Sequence, residues 1–404
     1  MNKLTVRDID VSGKNVLVRV DFNVPFKCET RTVTDDSRIR ASLPTIDYLV
    51  ERGAKVILCS HLGRPAGEVN PEFSLDFVAK RLSKIMRQPV GFVGDCIGPE
   101  VDSAISAMQN GDVLLLENLR FYAEEEEGDA AFAEALSKHG DIFVNDAFGT
   151  AHRKHASIVG VTKYIPSVSG LLLEKEIDAL GKVLTDPPHP FAVLLGGAKV
   201  SDKVAMLNNI MGKVDTIIIG GGMAATFLKA QSYEVGASLI DDSLDTASDI
   251  IEKANKNGVK LVLPDDMLVA DEISTNAQTE NVGIANIPSN KHIVDVGTLT
   301  ITKFTKALEK CRTVFWNGPM GIYEIPQFSE GTKMMAKIIA NLHGTTIIGG
   351  GSTSEIVTEM KLGHKMTFVS TGGGASLKFL SGKTLPGVEA LLPKEAKTKL
   401  AKAE

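Results

Sequence analysis

Arginine and histidine recur just behind the apolar runs of the first half of this sequence. The segments are Asp21-Phe22-Asn23-Val24-Pro25, Ser60-His61-Leu62-Gly63-Arg64-Pro65, Arg120 and Ala151-His152-Arg153, with Arg38 from an intervening loop. Guanidiniums that converge on one spot repel one another unless an anion sits between them, and the planar fork of arginine matches phosphate or carboxylate. The first half is therefore expected to hold a small polyanion. Pairing of each arginine with a nearby acid such as Glu117 or Asp146 is the bland alternative.

Glycine takes the same places in the second half: Gly196-Gly197-Ala198-Lys199, Gly220-Gly221-Gly222, Gly349-Gly350-Gly351-Ser352 and Gly372-Gly373-Gly374. Each is followed by small residues expected to open a helix. Glycine permits the left-handed turns that aim backbone N–H groups at a ligand, and a helix N-terminus adds partial positive charge, so such loops cradle phosphates. One triple glycine says little; four behind successive strands point to a nucleotide. Lys199 and Lys203, spaced i to i+4, are expected on one face of a helix beginning near Ala198. No G-x-x-x-x-G-K-[ST] occurs, since Ser381-Gly382-Lys383-Thr384 lacks the first glycine. Gly220-x-Gly222-x-x-Ala225 invites a dinucleotide reading, but QSYEVGASLI, before the next acids Asp241 and Asp242, is too broken to be the second strand that motif requires.

The elements that must position these residues are short Val/Ile/Leu runs alternating with helical patterns, the signature of βαβ units and parallel sheets. The runs lie at 16–22, 55–60, 113–119 and 142–148, and then at 191–197, 215–221, 261–264, 313–318, 345–350 and 367–373. Their near-continuous apolar character implies helices on both faces. Ligands of open α/β sheets sit at the carboxyl ends of strands, where the arginines and glycines fall. At 404 residues the chain exceeds what one core serves, so two domains and a cleft are expected. Leu173, Ile177, Leu180 and Leu184 sit at helical spacing before Asp186-Pro187-Pro188-His189-Pro190, a helix and stop that mark a boundary, unless that helix is one more layer of a single sheet. Glu124 to Glu127 read as a solvated loop or helix start.

A net charge of −6 argues against a general nucleic-acid or acidic-membrane binder. Cys28, Cys59, Cys96 and Cys311 are scattered without zinc spacing and fit free thiols in a reducing cytosol. The charged N-terminus and the lack of a long apolar run predict a cytoplasmic protein.

RVDFNVP (19–25), HLGRP (61–65), LLLENLRF (114–121), NDAFGTAHR (145–153), GGAKVSDK (196–203), WNGPMGIYE (316–324), GGGST (349–353) and STGGGASL (370–377) resemble the phosphoglycerate kinase family in order and spacing. The resemblance implies two doubly wound parallel-sheet, Rossmann-like domains joined by a hinge helix. The triose-phosphate-binding domain would span 1–170, with a C-terminal tail, 385–404, packing back on it. The hinge would span 171–188 and the nucleotide-binding domain 189–384. It implies a cytoplasmic monomer acting in glycolysis, moving a phosphoryl group between 1,3-bisphosphoglycerate and ADP to give 3-phosphoglycerate and ATP, in line and on domain closure. Asp21, Asn23, Arg38, His61, Arg64, Arg120 and Arg153 would form the substrate patch. Gly197, Ala198, Lys199, Lys203, Gly222, Ile293, Val294, Asn317, Pro319, Glu324, Gly351, Ser352 and Thr353 would bind the nucleotide, with Glu324 on the ribose. Arg38, Lys199 and the backbone at Gly350 and Gly373 would serve the transferring group. Magnesium would accompany ATP or ADP, but the family's usual Asp ligand is here Ser352, a weaker neutral ligand for a hard cation.

Two other readings remain. An inactive relative would keep the fold after losing its metal ligand. An NAD-linked oxidoreductase would explain one glycine turn and leave the arginines and the other three glycine loops unexplained.

Overall fold

The computed structural model describes residues 2–397. The chain divides into two compact units, one formed by Met1–Asp178 and the returning segment from Thr384, the other by Ala179–Lys383. In the first, Asn15–Arg19 (β1), Lys55–Cys59 (β2), Gly91–Phe92 (β3), Val113–Leu115 (β4), Ile142–Asn145 (β5) and Ser167–Ser169 (β6) form one sheet. Its order is β3-β4-β2-β1-β5-β6 and every pairing is parallel. Alternate residues explain why its longer runs are almost wholly apolar. Val16, Val18, Val56 and Leu58 enter one apolar cluster, while Leu17, Ile57 and Phe143 enter another on the opposite face.

In the second unit, Phe191–Leu195 (β7), Thr216–Ile219 (β8) and Lys260–Val262 (β9) begin a second six-stranded sheet. An antiparallel sheet of Asp266–Ala270 (β10), Thr279–Gly283 (β11) and His292–Val296 (β12) intervenes, with β10 in the middle. Thr313–Asn317 (β13), Thr345–Gly349 (β14) and Phe368–Val369 (β15) complete the parallel order β9-β8-β7-β13-β14-β15. The antiparallel sheet lies outside the sequence expectation because β11, Thr-Glu-Asn-Val-Gly, is almost wholly exposed and carries no apolar run. Residues 231–240 form no strand, in keeping with the rejection of the dinucleotide motif.

Helices carry or anchor several residues of the two sheet edges. Ser37–Glu51 (α1) carries Arg38 in its first turn, not in a loop as expected. Ala123–Glu127 (α2) is the acidic run, and there the expectation of a solvated face fails: Glu125 is fully buried. Leu171–Thr185 (α3) contains the division between units. Its first turn is tied into the first unit, since Leu171 N–H donates to Thr45 Oγ1 at 2.9 Å and Leu172 N–H to Asp146 Oδ1 at 2.9 Å. A Cβ on Gly170 would lie 2.1 Å from that same oxygen, so only glycine allows the approach. Val204–Ile210 (α4) begins well after the first glycine pair, so the helix expected from Ala198 is absent and Lys199 and Lys203 do not share a helical face. The other three glycine loops do open helices: Gly221–Ala230 (α5), Gly351–Glu359 (α6) and Gly374–Leu380 (α7).

The returning segment joins the first unit through Gly387 N–H to Ala151 O at 2.8 Å and Leu392 N–H to Ser167 O at 2.9 Å. The expected tail from residue 398 on lies outside the described residues. Among those described, no helix is long and apolar enough to cross a membrane.

Candidate functional site

The carboxyl ends of β1 and β2, the turn after β4 and the segment after β5 carry the arginine and histidine residues of the first unit. Arg38 Nη1 donates to Asp21 Oδ2 at 2.5 Å. Burial pushes the Asp21 carboxyl up, but the neighbouring guanidiniums, Arg38 above all, outweigh it and hold it below its ordinary value. Asn23 Oδ1 accepts from Gly63 N–H at 2.9 Å, which fixes the turn between His61 and Arg64. Arg120, largely buried, donates to Gly63 O at 2.8 Å and pairs with Glu126 at 3.1 Å. Arg64 and Arg153 are exposed, and neither guanidinium has a hydrogen-bond or ion-pair partner among the described residues. His61 feels Asp21, Arg19, Arg120 and Arg38 together, and Arg120 feels Arg153, so these groups share one electrostatic neighbourhood. The bland alternative holds for two of the four arginines, Arg38 with Asp21 and Arg120 with Glu126, and not through the acids named for it. Glu117 accepts from Ser74 and the Leu75 and Asn118 amides, and Asp146 anchors α3.

Several residues that hold this edge went unnoticed in the sequence. Asn118 Oδ1 accepts from the Leu62 and Arg120 amides, and its Nδ2 donates to Leu62 O at 2.7 Å, so one side chain sets the loops of both His61 and Arg120. Beneath them Arg19 is 1% exposed, with Nε donating to Ser157 Oγ at 2.8 Å. Ser157 Oγ donates in turn to Glu125 Oε1 at 2.6 Å. A charged residue inside the run Val16-Leu17-Val18-Arg19-Val20 was the one signal available, because a buried charge requires a partner. Nothing separates Glu125 from its acidic neighbours in the sequence.

In the second unit the carboxyl ends of β7, β13 and β14 and the loop before α7 enclose a pocket of about 260 Å³. It is lined by Gly197, Ala198, Lys199, Lys203, Asn317, Pro319, Gly350, Gly351, Ser352, Thr353 and Gly373, eleven of the expected residues, and by Asp202. Lys199 is exposed, whereas Lys203 is buried and donates to Asn317 Oδ1. Burial pushes the Lys203 ammonium down to about 8, against the pull of Asp202. Asn317 Nδ2 is buried without a partner and faces the space beside Gly350, whose Cβ would lie 3.0 Å away. Gly350 itself has φ +96°, a conformation natural only to glycine. Thr353 Oγ1 accepts from Gly318 N–H at 2.8 Å and ties α6 to the loop after β13.

Gly222, Ile293, Val294 and Glu324 do not line the pocket. Gly222 borders it, since a Cβ there would lie 3.2 Å from Ala198 Cα. Ile293 and Val294 sit on β12, where Val294 O accepts from Ile322 N–H at 3.0 Å and so holds the loop that carries exposed Glu324. Ser352 lies in the first turn of α6 beside Tyr323. Among the described residues no group of three or more His, Cys, Asp or Glu could hold a metal ion.

The first unit's edge can bind a small polyanion through side chains, and the second's pocket can bind phosphates through backbone amides and two lysines. A family model described as phosphoglycerate kinase matches residues 6–383. Phosphoglycerate kinase of Moorella thermoacetica is 51% identical over 395 residues, covering 98% of this chain and all of the relative. That of Pelotomaculum thermopropionicum is 52% identical over 395 residues, with the same coverage. Among solved structures, phosphoglycerate kinase from Coxiella burnetii superposes with a TM-score of 0.83 at 40% identity, over 99% of this chain and all of that one. The enzyme from Pyrococcus horikoshii gives 0.85 at 32% identity, over 98% and 99%.

Proposed function

The chain belongs to the phosphoglycerate kinase family, and from that premise we propose how its residues divide the work of moving a phosphoryl group between 1,3-bisphosphoglycerate and ADP. The triose acid binds the edge formed by Asp21, Asn23, Arg38, His61, Arg64, Arg120 and Arg153. The observation that carries this assignment is the pair of exposed guanidiniums, Arg64 and Arg153, which have no hydrogen-bond or ion-pair partner among the described residues and lie on the edge that carries Arg38, His61 and Arg120. Two exposed cations without a carboxylate, next to Arg38 and Arg120 that each have one, leave the edge with a surplus of positive charge for an anion.

The nucleotide phosphates occupy the glycine-walled pocket, against Lys199, Lys203 and the N-termini of α6 and α7, with the adenosine toward Gly222, Pro319, Ile293 and Val294 and the ribose at Glu324. Magnesium would arrive with the nucleotide as part of the substrate, held by phosphate oxygens and water, with the Ser352 hydroxyl and the Asp202 carboxylate as protein oxygens available in the pocket wall. The carboxylate nucleophile is ionised at neutral pH, its pKa being about 3.5 to 4, so no general base is required. What the protein supplies is alignment and charge on the phosphoryl in flight. Arg38 from one unit, and Lys199 with the Gly350 and Gly373 amides from the other, provide it. The two ligand edges belong to separate units, so transfer requires them to close together and exclude water from the acyl phosphate. Small-angle scattering with both substrates should show compaction; an unchanged radius would count against closure. We place the protein in the cytoplasm, acting as a monomer.

The deciding experiment measures ADP formation from ATP with and without 3-phosphoglycerate across a magnesium titration. Acid-dependent turnover that collapses in Lys199→Ala is expected, with a magnesium midpoint several-fold lower in Ser352→Asp, since a carboxylate is the stronger ligand. ATP binding without turnover at any magnesium level would favour the inactive relative instead.

A further inference from the structure

We infer that Arg19, which no substrate atom can reach, is a positioning residue that holds His61 as the neutral, Nε2-protonated tautomer, so that His61 meets the acid substrate as an uncharged donor. Arg19 Nη2 lies 3.2 Å from His61 Nδ1, and a guanidinium has donors only. Nδ1 must therefore accept, which leaves the ring proton on Nε2. Nε2 has no hydrogen-bond partner among the described residues and is the nitrogen left for a ligand.

Arg19 cannot turn away to relax this contact. Its Nε is held by Ser157 Oγ at 2.8 Å, its Nη1 by Val20 O, and Glu125 Oε1 stands 4.0 Å from Nη2. Glu125 is fixed in turn by the Ser157 hydroxyl at 2.6 Å and the Ser157 amide at 2.9 Å, with His155 Nδ1 3.6 Å away. The relay runs one way, from Arg N–H to Ser O–H to carboxylate, and each of the three guanidinium nitrogens has an acceptor, so the arginine is locked.

The surroundings favour the same protonation state. His61 is 4% exposed and faces Arg19 from β1, Asp21 from the segment after it, Arg38 from α1 and Arg120 from the turn Leu119–Phe121. Burial, joined by the three arginines and opposed by Asp21, holds the imidazole well below its ordinary value. An edge already carrying Arg38, Arg64, Arg120 and Arg153 gains from a neutral donor direction without another unpaired positive charge.

The test is nitrogen-15 NMR of histidine-labelled protein without ligand, with His61 assigned by loss of its signals in His61→Gln. The expected spectrum is that of the Nε2–H tautomer, with no titration from about pH 8 down past about 6.5, where an ordinary histidine takes up its proton. An imidazolium at neutral pH, or an Nδ1–H tautomer, would overturn the inference without any further variant. In Arg19→Met, where Nδ1 loses its donor, the Nδ1–H tautomer should become populated and the titration should move part of the way up toward the ordinary value, with burial and the two remaining arginines still opposing it, and KM for 3-phosphoglycerate should rise roughly tenfold, with a smaller change in kcat. Arg19→Lys, which keeps a donor, should recover part of both; a folded Arg19→Met with tautomer and titration unchanged would refute the role of Arg19. The donor role also rests on the proposed placement of the acid at His61, and 3-phosphoglycerate should shift the Nε2 signal. An unmoved signal from a ring in the expected tautomer would overturn that placement separately.

Discussion

Two six-stranded parallel sheets carry their candidate ligand residues at the same ends of their strands, yet the two edges are made of different material. In the first unit the ligand groups are side chains: Arg38, His61 and Arg120 are each held by Asp21, Arg19 or Gly63 in a largely buried polar layer. In the second they are mostly backbone, laid bare by glycines at Gly197, Gly350 and Gly373, with Lys199 and Lys203 as the charged exceptions. The difference suits the ligands proposed for the two edges. A small acid has few atoms and needs directional cations, whereas a chain of phosphates offers oxygens at intervals that a row of N–H groups can match. The first edge should therefore fail when atoms are removed, the second when atoms are added.

The largest expected effect probes the layer beneath the side-chain edge. Glu125→Ala leaves Arg19 buried and unpaired and should lower unfolding stability by about 3–5 kcal/mol, while Glu126→Ala, half exposed next door, should cost less than about 1 kcal/mol in the same denaturant titration. Equal losses would mean the layer is not what supports the edge. Next, Arg38→Ala should reduce kcat by about 10²–10³-fold with ATP affinity by calorimetry unchanged; a parallel loss of ATP binding would break the division of labour.

Addition is tested by Gly221→Ala. The new Cβ would meet Gly197 N and Pro319 O at 2.6 Å in a backbone with φ +63°. A stability loss of about 2–4 kcal/mol and weaker ATP binding are expected, with 3-phosphoglycerate binding retained. The smallest effect is a pH dependence. Burial pushes the Asp146 carboxyl up to about 7, against the Thr45 hydroxyl and the α3 amides. Its unfolded value is about 3.9, so the folded state holds the extra proton between those values. That contribution is full below about pH 4 and is lost as pH rises through about 7. Asp146→Asn keeps the oxygen that caps α3 and replaces Oδ2, which has no hydrogen-bond partner. Its thermal midpoint relative to the parent should improve from pH 5 to pH 8; a constant difference would count against the raised carboxyl.

Much of this was legible in the chain. The ten apolar runs that read as strands are strands, and the residues behind them form the arginine edge and most of the glycine-walled pocket. The failures have local causes. Lys199 and Lys203 have helical spacing, but the glycine pair feeds an irregular loop and the helix waits until Val204. Glu124 to Glu127 look alike, yet α2 turns only Glu125 inward to Ser157. The antiparallel sheet escaped notice because β11 lies exposed and shows no apolar run.

Apolar runs, glycines and arginines act within a few residues of themselves, so the sequence by itself determined the parallel sheets, the chemical character of each ligand edge and the family they belong to. Which charges would be buried, and which donors would remain for a ligand, was decided by tertiary structure. Arg19 meets Ser157 across 138 positions, and Lys203 meets Asn317 across 114. Burial and hydrogen-bond partnership depend on residues far away in the chain, and only the packed fold brings those residues within reach of one another.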